Sequence, residues 1–366
     1  MSGSAAVPDL SPYDAVLLVS FGGPEAAADV VPFLRNVTRG RGIPDERLAE
    51  VGEHYSLFGG RSPINDQCRA LLAALSAEFD RRGISLPLAW GNRNWDPYLK
   101  DAVAELEAAG HRRVLAVITS AYPSYSSCRQ YRENLYDAAA DTKITVDRLR
   151  HYANHPGFVE ASVDAVIEAL GRLDDAAEPR LIFVTHSIPT AMAEPSGDGG
   201  YEEWHRTVLA EVTRRVEQRT GRSFTGELTY CSRSGPPSQP WLEPDINDRL
   251  AELAGEGVTS VVAVPIGFIS DHMEVIYDLD TEAAATAEKL GLGFVRAGTA
   301  GVHAAFVSGL VDLMVERAAA ARGEDPDRPV AAGHPGWYEC PVDCCRNLRE
   351  PDRPALCQRS TQEAAQ

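Results

Sequence analysis

Residues 261–280 read VVAVPIGFISDHMEVIYDLD. The first nine are apolar and rich in β-branched side chains, the composition of a strand buried on both faces of a parallel sheet. A helix is expected next, with Asp271 suited to its N-cap and Glu274 three positions on, the spacing of a capping box. Glu274, Asp278 and Glu282 then recur at i, i+4 and i+8. That stacks three carboxylates on one helix face, where each like-charged pair costs about a few tenths of a kcal/mol. A solvated acidic face explains such a stack by itself. A column of oxygen ligands that guides a hard divalent cation is the other reading, and the rest of the chain decides between them.

The same strand-then-helix alternation runs outward from this stretch. Apolar runs at 15–21, 86–91, 113–119, 181–185, 227–231 and 258–266 read as strands. Helical patterns lie at 26–35, 64–82, 97–109, 131–139, 156–173, 201–220 and 246–255, so the class is α/β with parallel sheets. Residues before Ser11 read as a disordered leader. An acidic, Ala-rich link at 171–180 divides the chain into two halves, each expected to be a doubly wound, Rossmann-like sheet. Ligands of such sheets lie beyond the carboxyl ends of the strands.

With 366 residues and 44% hydrophobic content the chain can bury two cores of ordinary size. A formal charge of -18 argues against nucleic acid or anionic lipid as a general partner, while a local basic cleft can still take an anionic ligand. The first residues lack the order of a signal peptide, and the apolar runs are too short to span a bilayer. The expectation is a cytoplasmic monomer with no stable membrane association.

The strand ends carry the candidate site. His186 follows one strand and Glu274 follows another in the same half. A neutral imidazole facing a carboxylate can bind a borderline divalent metal, and either group can take a proton near neutral pH. A histidine alone after a strand is more often structural. Phe21, Tyr122, Tyr125, Tyr131 and Trp241 put rings at the same level, as walls for a flat ligand, although core packing explains any one of them. Arg39, Arg41, Arg61, Arg129 and Arg132 suggest an anionic, carboxylate-bearing substrate. A solvated helix face explains Arg129 and Arg132 about as well.

The tail is distinct. Seven cysteines do not make a disulfide framework in a reducing compartment, and CPVDCC at 340–345 with Cys357 beyond points to a thiolate-bound metal, zinc or iron-sulfur. Adjacent cysteines tend to point apart, so a ligand from elsewhere is expected, with Cys128 the candidate. Cys68 and Cys231 read as buried structural thiols.

With these residues assembled, the chain resembles the ferrochelatases from about residue 15 to 322. The resemblance rests on LLVSFGGPE, HYSLFGGRSPIN, GNRNWDPYLKDAV, FVTHSIPTAM, SGPPSQPWLEPD and PIGFISDHMEVIYDLD, in the family's order. It implies two similar four-stranded, chelatase-type α/β domains, 12–160 and 161–299, with a porphyrin in the cleft between them. A terminal helix, 300–322, would pack back on the first domain, ahead of a Cys-rich tail, 323–366. The implied activity is insertion of ferrous iron into a porphyrin. His186 would be catalytic and Glu274 essential, both at the metal, with Asp278 and Glu282 as a metal or proton relay. Porphyrin contacts are implied at Ser62, Tyr131 and Tyr55. Phe21 stands where some bacterial members place a tyrosine beside the iron, and it cannot ligate. The SFGGPE and TRGRG forms and the tail resemble the actinobacterial branch, which implies coproporphyrin III as substrate. The branch also implies a 2Fe-2S cluster on four of Cys128, Cys340, Cys344, Cys345 and Cys357. A short, polar HYSLFGGRSPIND stretch and an arginine-rich cleft suit a four-carboxylate ring better than protoporphyrin IX. Competing readings are a protoporphyrin ferrochelatase, a cobalt-loading chelatase, a non-catalytic porphyrin or haem carrier, and a structural protein with a zinc-binding tail.

Overall fold

Side chains as apolar as AVLLVS at Ala15–Ser20 (β1) and RLIFVTH at Arg180–His186 (β5) can face water on neither side. Each strand accordingly lies inside a four-stranded parallel sheet in the computed structural model, which describes residues 7–40, 42–173, 178–235 and 238–359. Arg41, Pro236, Pro237, the middle of the 171–180 link, the first six residues of the expected leader and the last seven of the tail lie outside these. The first sheet has the order β2-β1-β3-β4, with β2 at Leu88–Asn92, β3 at Arg113–Ile118 and β4 at Thr145–Arg148. The second repeats that order as β6-β5-β7-β8, with β6 at Gly226–Cys231, β7 at Ser260–Val264 and β8 at Gly293–Arg296. Val16 pairs with Leu88 and Leu115, and Leu181 with Gly226 and Val262.

Strands β4 and β8 carry no apolar run. Each is a four-residue edge strand with a partly exposed face, TVDR and GFVR, so the pairing partner and not the local composition makes them strands.

Helices cover the sheets: α1 (Val30–Val37), α2 (Asp45–Ser56), α3 (Ile64–Arg82), α4 (Leu99–Ala108), α5 (Gln130–Ala139), α6 (Pro156–Leu170), α7 (Thr190–Ala193), α8 (Tyr201–Thr220), α9 (Ile246–Gly255), α10 (Ala284–Leu290) and α11 (Ala304–Ala321). Two π-helices, Tyr125–Arg129 and Val275–Ala283, lead into α5 and α10. One apolar cluster runs through both halves, from Leu18 and Leu75 to Phe183 and Val208, joined by Leu310 and Met314 of α11. Helices α6 and α11 touch backbone to backbone, since a Cβ on Gly157 would stand 2.3 Å from the Ala305 carbonyl. Among the described residues no helix is long and apolar enough to cross a membrane.

The tail folds back over the first sheet. Arg150, after β4, donates to both Glu316 oxygens at 2.7 and 3.0 Å and to the Pro329 carbonyl at 2.9 Å. Asn154 donates to the carbonyls of Ala332 and His334, and Tyr338 donates to Glu316 at 2.7 Å. Arg150 and Glu316 are 0% and 5% exposed, so truncating one strands the other's charge in the interior. Glu316→Ala should therefore cost about 3–5 kcal/mol in urea unfolding. Arg35→Ala, at a solvent-exposed pair with Asp45, should leave the midpoint within error of the parent.

Candidate active site

Strands β5 and β7 are neighbours in one parallel sheet, so their carboxyl ends share an edge. The loop leaving β7 crosses directly over the end of β5. Gly267 donates its N–H to the Val184 carbonyl, and a Cβ there would meet Thr185 Oγ1 at 2.0 Å, so only glycine passes. That crossing brings Glu274 to His186, Nε2 to Oε1 at 3.4 Å, with the side chains 33% and 46% exposed. The pair is reachable from outside while its base is fixed. The His186 Nδ1 contacts the Ser187 carbonyl, and the Tyr201 hydroxyl donates to the His186 carbonyl at 3.2 Å. Behind them Thr185 Oγ1 meets Tyr201 at 2.7 Å and His205 Nε2 at 3.0 Å, and Tyr122 stacks on His205 at 3.7 Å. Nothing in the sequence spacing marked Tyr201 or His205 as supports.

Burial opposes a charge on His186. The Glu274 carboxylate, its hydrogen bond, the Ser187 carbonyl and Asp278 outweigh burial and push the imidazole up to about 8. Burial likewise raises Glu274, but His186 and His272 bring it down to about 2. At neutral pH the pair is imidazolium and carboxylate. Asp278 is pushed up to about 6 by burial and by Glu274 and Glu282, against a hydrogen bond from Ser232.

The expected capping box does not form. Asp271 is drawn instead to Arg296 of β8, at 3.0 and 3.2 Å, and accepts from Thr299. The Glu274 amide is capped by His272 Nδ1 at 3.2 Å. A charge pair to the neighbouring strand is stronger than a cap, and it is invisible in local spacing. The following turns are π and not α. A turn wider than 3.6 residues sets positions four apart more nearly above one another, which keeps Glu274, Asp278 and Glu282 in a column.

The aromatic and basic candidates divide. Phe21 is half-buried, edge-on to Phe33 at 6.2 Å, and the Arg93 guanidinium lies over its ring at 5.5 Å and over Tyr131 at 4.6 Å. Ser62 and Tyr131 are 4% and 5% exposed, so Arg93 covers Tyr131 on that side. Tyr55 is half-buried, and burial with the Glu274 charge pushes its phenol up, which sets it opposite Glu274. Beside it His54 of α2 stacks on Tyr277 at 4.1 Å, a contact between the two halves. Tyr122 is core.

Arg129 and Arg132 are not cleft cations. Arg129 donates to Glu133 and to the carbonyls of Val342 and Arg353, and Arg132 to that of Leu356, because the π-helix end and the start of α5 turn them towards the tail. Arg61 is tied to Asp66 and Arg39 to Asn36. Arg93, in GNRNWDPY, is the cation missed, and its Nε donates to Asn134 at 2.6 Å.

The thiols gather where the tail crosses β4. Ligand atoms of Cys128, His151 and Cys340 lie within 4.8 Å of one another, all buried. Cys344 and Cys345 do not point apart: their sulfurs are 3.7 Å apart, because Cys345 adopts φ 53°, which turns its side chain back. The Cys357 sulfur lies 3.6 Å from the Val146 carbonyl. Cys68 and Cys231 are buried away from the tail.

The Ferrochelatase family model matches residues 13–318. The coproporphyrin III ferrochelatase of Streptomyces coelicolor is 54% identical over 356 residues, 92% of this chain and 94% of its own. That of Leifsonia xyli is 50% identical over 94% of each chain, and the ferrochelatase of Rhodopirellula baltica 46% over 95% and 97%. In fold, the chain is similar to SirB from Bacillus subtilis with Fe3+, at a TM-score of 0.50 and 11% identity over 84% of this chain and 97% of that one.

A cation at His186 must displace its proton. Apparent affinity for a divalent ion should rise about tenfold per pH unit and level off near 8, and the charged pair itself is complete below about 6.5 and lost through 8. In Glu274→Gln burial dominates, so the levelling should move to lower pH. Cobalt titrations followed by absorbance between pH 6 and 9 measure both.

Proposed function

The chain belongs to the ferrochelatase family, and we propose that it inserts ferrous iron into coproporphyrin III to give Fe-coproporphyrin III. The observation that carries this is the His186–Glu274 pair, brought together from the end of β5 and the loop after β7, 3.4 Å apart and partly exposed. An imidazole and a carboxylate at that spacing suit ferrous iron, which accepts nitrogen and oxygen together. The coproporphyrin III ferrochelatases that resemble the chain over most of its length support the choice of ring.

Insertion requires that two pyrrole protons leave as iron enters. Iron would be drawn along Glu282 and Asp278, both on the column that ends at Glu274. On reaching His186 it displaces the imidazole proton, and Glu274 balances the charge. Asp278, near 6, exchanges protons readily at neutral pH and is suited to carry them outward through the Ser232 contact. The macrocycle would lie between this pair and Phe21, with Arg93, which has no carboxylate ion pair among the described residues, meeting a propionate. Holding the ring bent turns its nitrogen lone pairs to the metal, at roughly 1 to 5 kcal/mol drawn from the propionate contacts. The stack of His54 on Tyr277 joins the two walls of that space.

The tail is read as holding a 2Fe-2S cluster. The donor set fits: Cys128 and Cys340 are adjacent and buried, Cys344 and Cys345 follow, and buried guanidinium groups beside them want an anion. Cys128, Cys340 and Cys344 would serve with Cys345 or Cys357 as the fourth thiolate. When bound, such a cluster supplies a one-electron couple and a covalent tie between tail and first half.

Anaerobic assays should show His186→Ala and Glu274→Gln each lowering ferrous insertion at least about 100-fold, with coproporphyrin III used faster than protoporphyrin IX. Near-parental insertion by either variant contradicts the site, and preference for protoporphyrin contradicts the substrate. Red-brown protein carrying iron and acid-labile sulfide is expected on purification. A colourless, zinc-bearing protein contradicts the cluster.

A further inference from the structure

Arg132 and Arg148 are the unusual pair in this molecule. They are 0% and 2% exposed, and neither forms an ion pair with a carboxylate among the described residues. Arg132 uses only Nε, on the Leu356 carbonyl, and both its terminal nitrogens are buried without a hydrogen-bond partner among the described residues. Arg148 gives Nη1 to Leu149, Nη2 to Trp337 and to Cys340 Sγ at 3.0 Å, and leaves Nε unpartnered. The thiols of Cys340, Cys128 and Cys357 act on both, and Arg148 opposes the charge on Arg132. Other buried arginines differ: Arg129 has Glu133 and Arg150 has Glu316.

Two guanidinium groups buried together without counter-ions repel and forfeit their hydration. Cysteines as neutral thiols give nothing back. Four thiolates around two ferric ions and two sulfides form a dianion, the charge that two arginines match. We infer that Arg132 and Arg148 are the counter-ions of the thiolate-bound centre, holding it in the fold and raising its reduction potential. The inference rests on the cluster reading given above. Reduction takes one electron from an external reductant and makes the centre more negative, so removing a nearby positive charge disfavours the reduced form. The idea concerns charge and not shape, and lysine should largely replace either arginine.

The test uses the full chain purified anaerobically, as parent, R132Q, R148Q, R132K and R148K. Iron, sulfide and zinc are measured, and the visible spectrum is followed during a potentiometric titration with dithionite. At a fixed potential each glutamine variant should hold about tenfold less reduced cluster, a fall of ~59 mV for one electron, or release its cluster at least about tenfold faster. The lysine variants should stay within about threefold of the parent. Glutamine variants with parental potential and cluster lifetime overturn the inference, as do glutamine and lysine variants that fail alike. A parent without iron and sulfide overturns the cluster reading. In that event zinc retained by every variant overturns the arginine role too, and zinc lost from the glutamine variants alone sustains it for a zinc thiolate centre.

Discussion

A parallel sheet ends all its strands on one edge, and the candidate site depends on that constraint. β5 stops at His186, and the loop from β7 crosses it over Gly267, where no side chain fits, before delivering Glu274. His186 ends β5, and the loop that carries Glu274 is pinned to β5 at Gly267, so their separation is set by the sheet and that crossing. The hydrogen-bonded layer of Thr185, Tyr201 and His205 beneath them is buried, so the imidazole stays aimed at Glu274. Opposite charges in partial burial then reinforce each other, and they give a metal arriving at the pair a proton to displace.

The two halves repeat one plan and use it differently. In each, a π-helix follows the third strand in the sheet order, β3 or β7. In the second half that π-helix stacks acids beside the His186–Glu274 pair. In the first it carries Cys128 and Arg129 and runs into Tyr131 and Arg132 of α5, so one continuous segment meets Arg93 on one side and the tail on the other. π-turns recur at functional sites because an extra residue per turn realigns side chains at the expense of regular packing. The tail reaches the second half as well, through the Cys345 amide and the Pro195 carbonyl at 3.2 Å.

Much of this was legible before any coordinates. Runs such as Arg113–Ile118 and the helix Ile64–Arg82 carry their own apolar pattern, and His186 and Glu274 stand out because they follow such runs. What escaped depends on partners distant in sequence. β4 and β8 are strands only because β3 and β7 pair with them. Asp271 looked like a cap because Arg296, 25 residues on, could not be seen beside it. Arg129 and Arg132 follow a strand end, yet adjacent helical positions point in different directions, so Tyr131 meets Arg93 while Arg129 and Arg132 meet the tail. Acids at i, i+4 and i+8 fit an α-turn and a π-turn alike, so no local pattern distinguishes the two.

Anomalous scattering at the iron edge tests most directly whether ferrous iron is held between one imidazole and one carboxylate. Crystals soaked anaerobically in ferrous salt should show a peak between His186 Nε2 and the Glu274 carboxylate, with ligand distances of about 2.0–2.2 Å. Iron bound only along Asp278 and Glu282, with the His186–Glu274 contact unbroken, would contradict it.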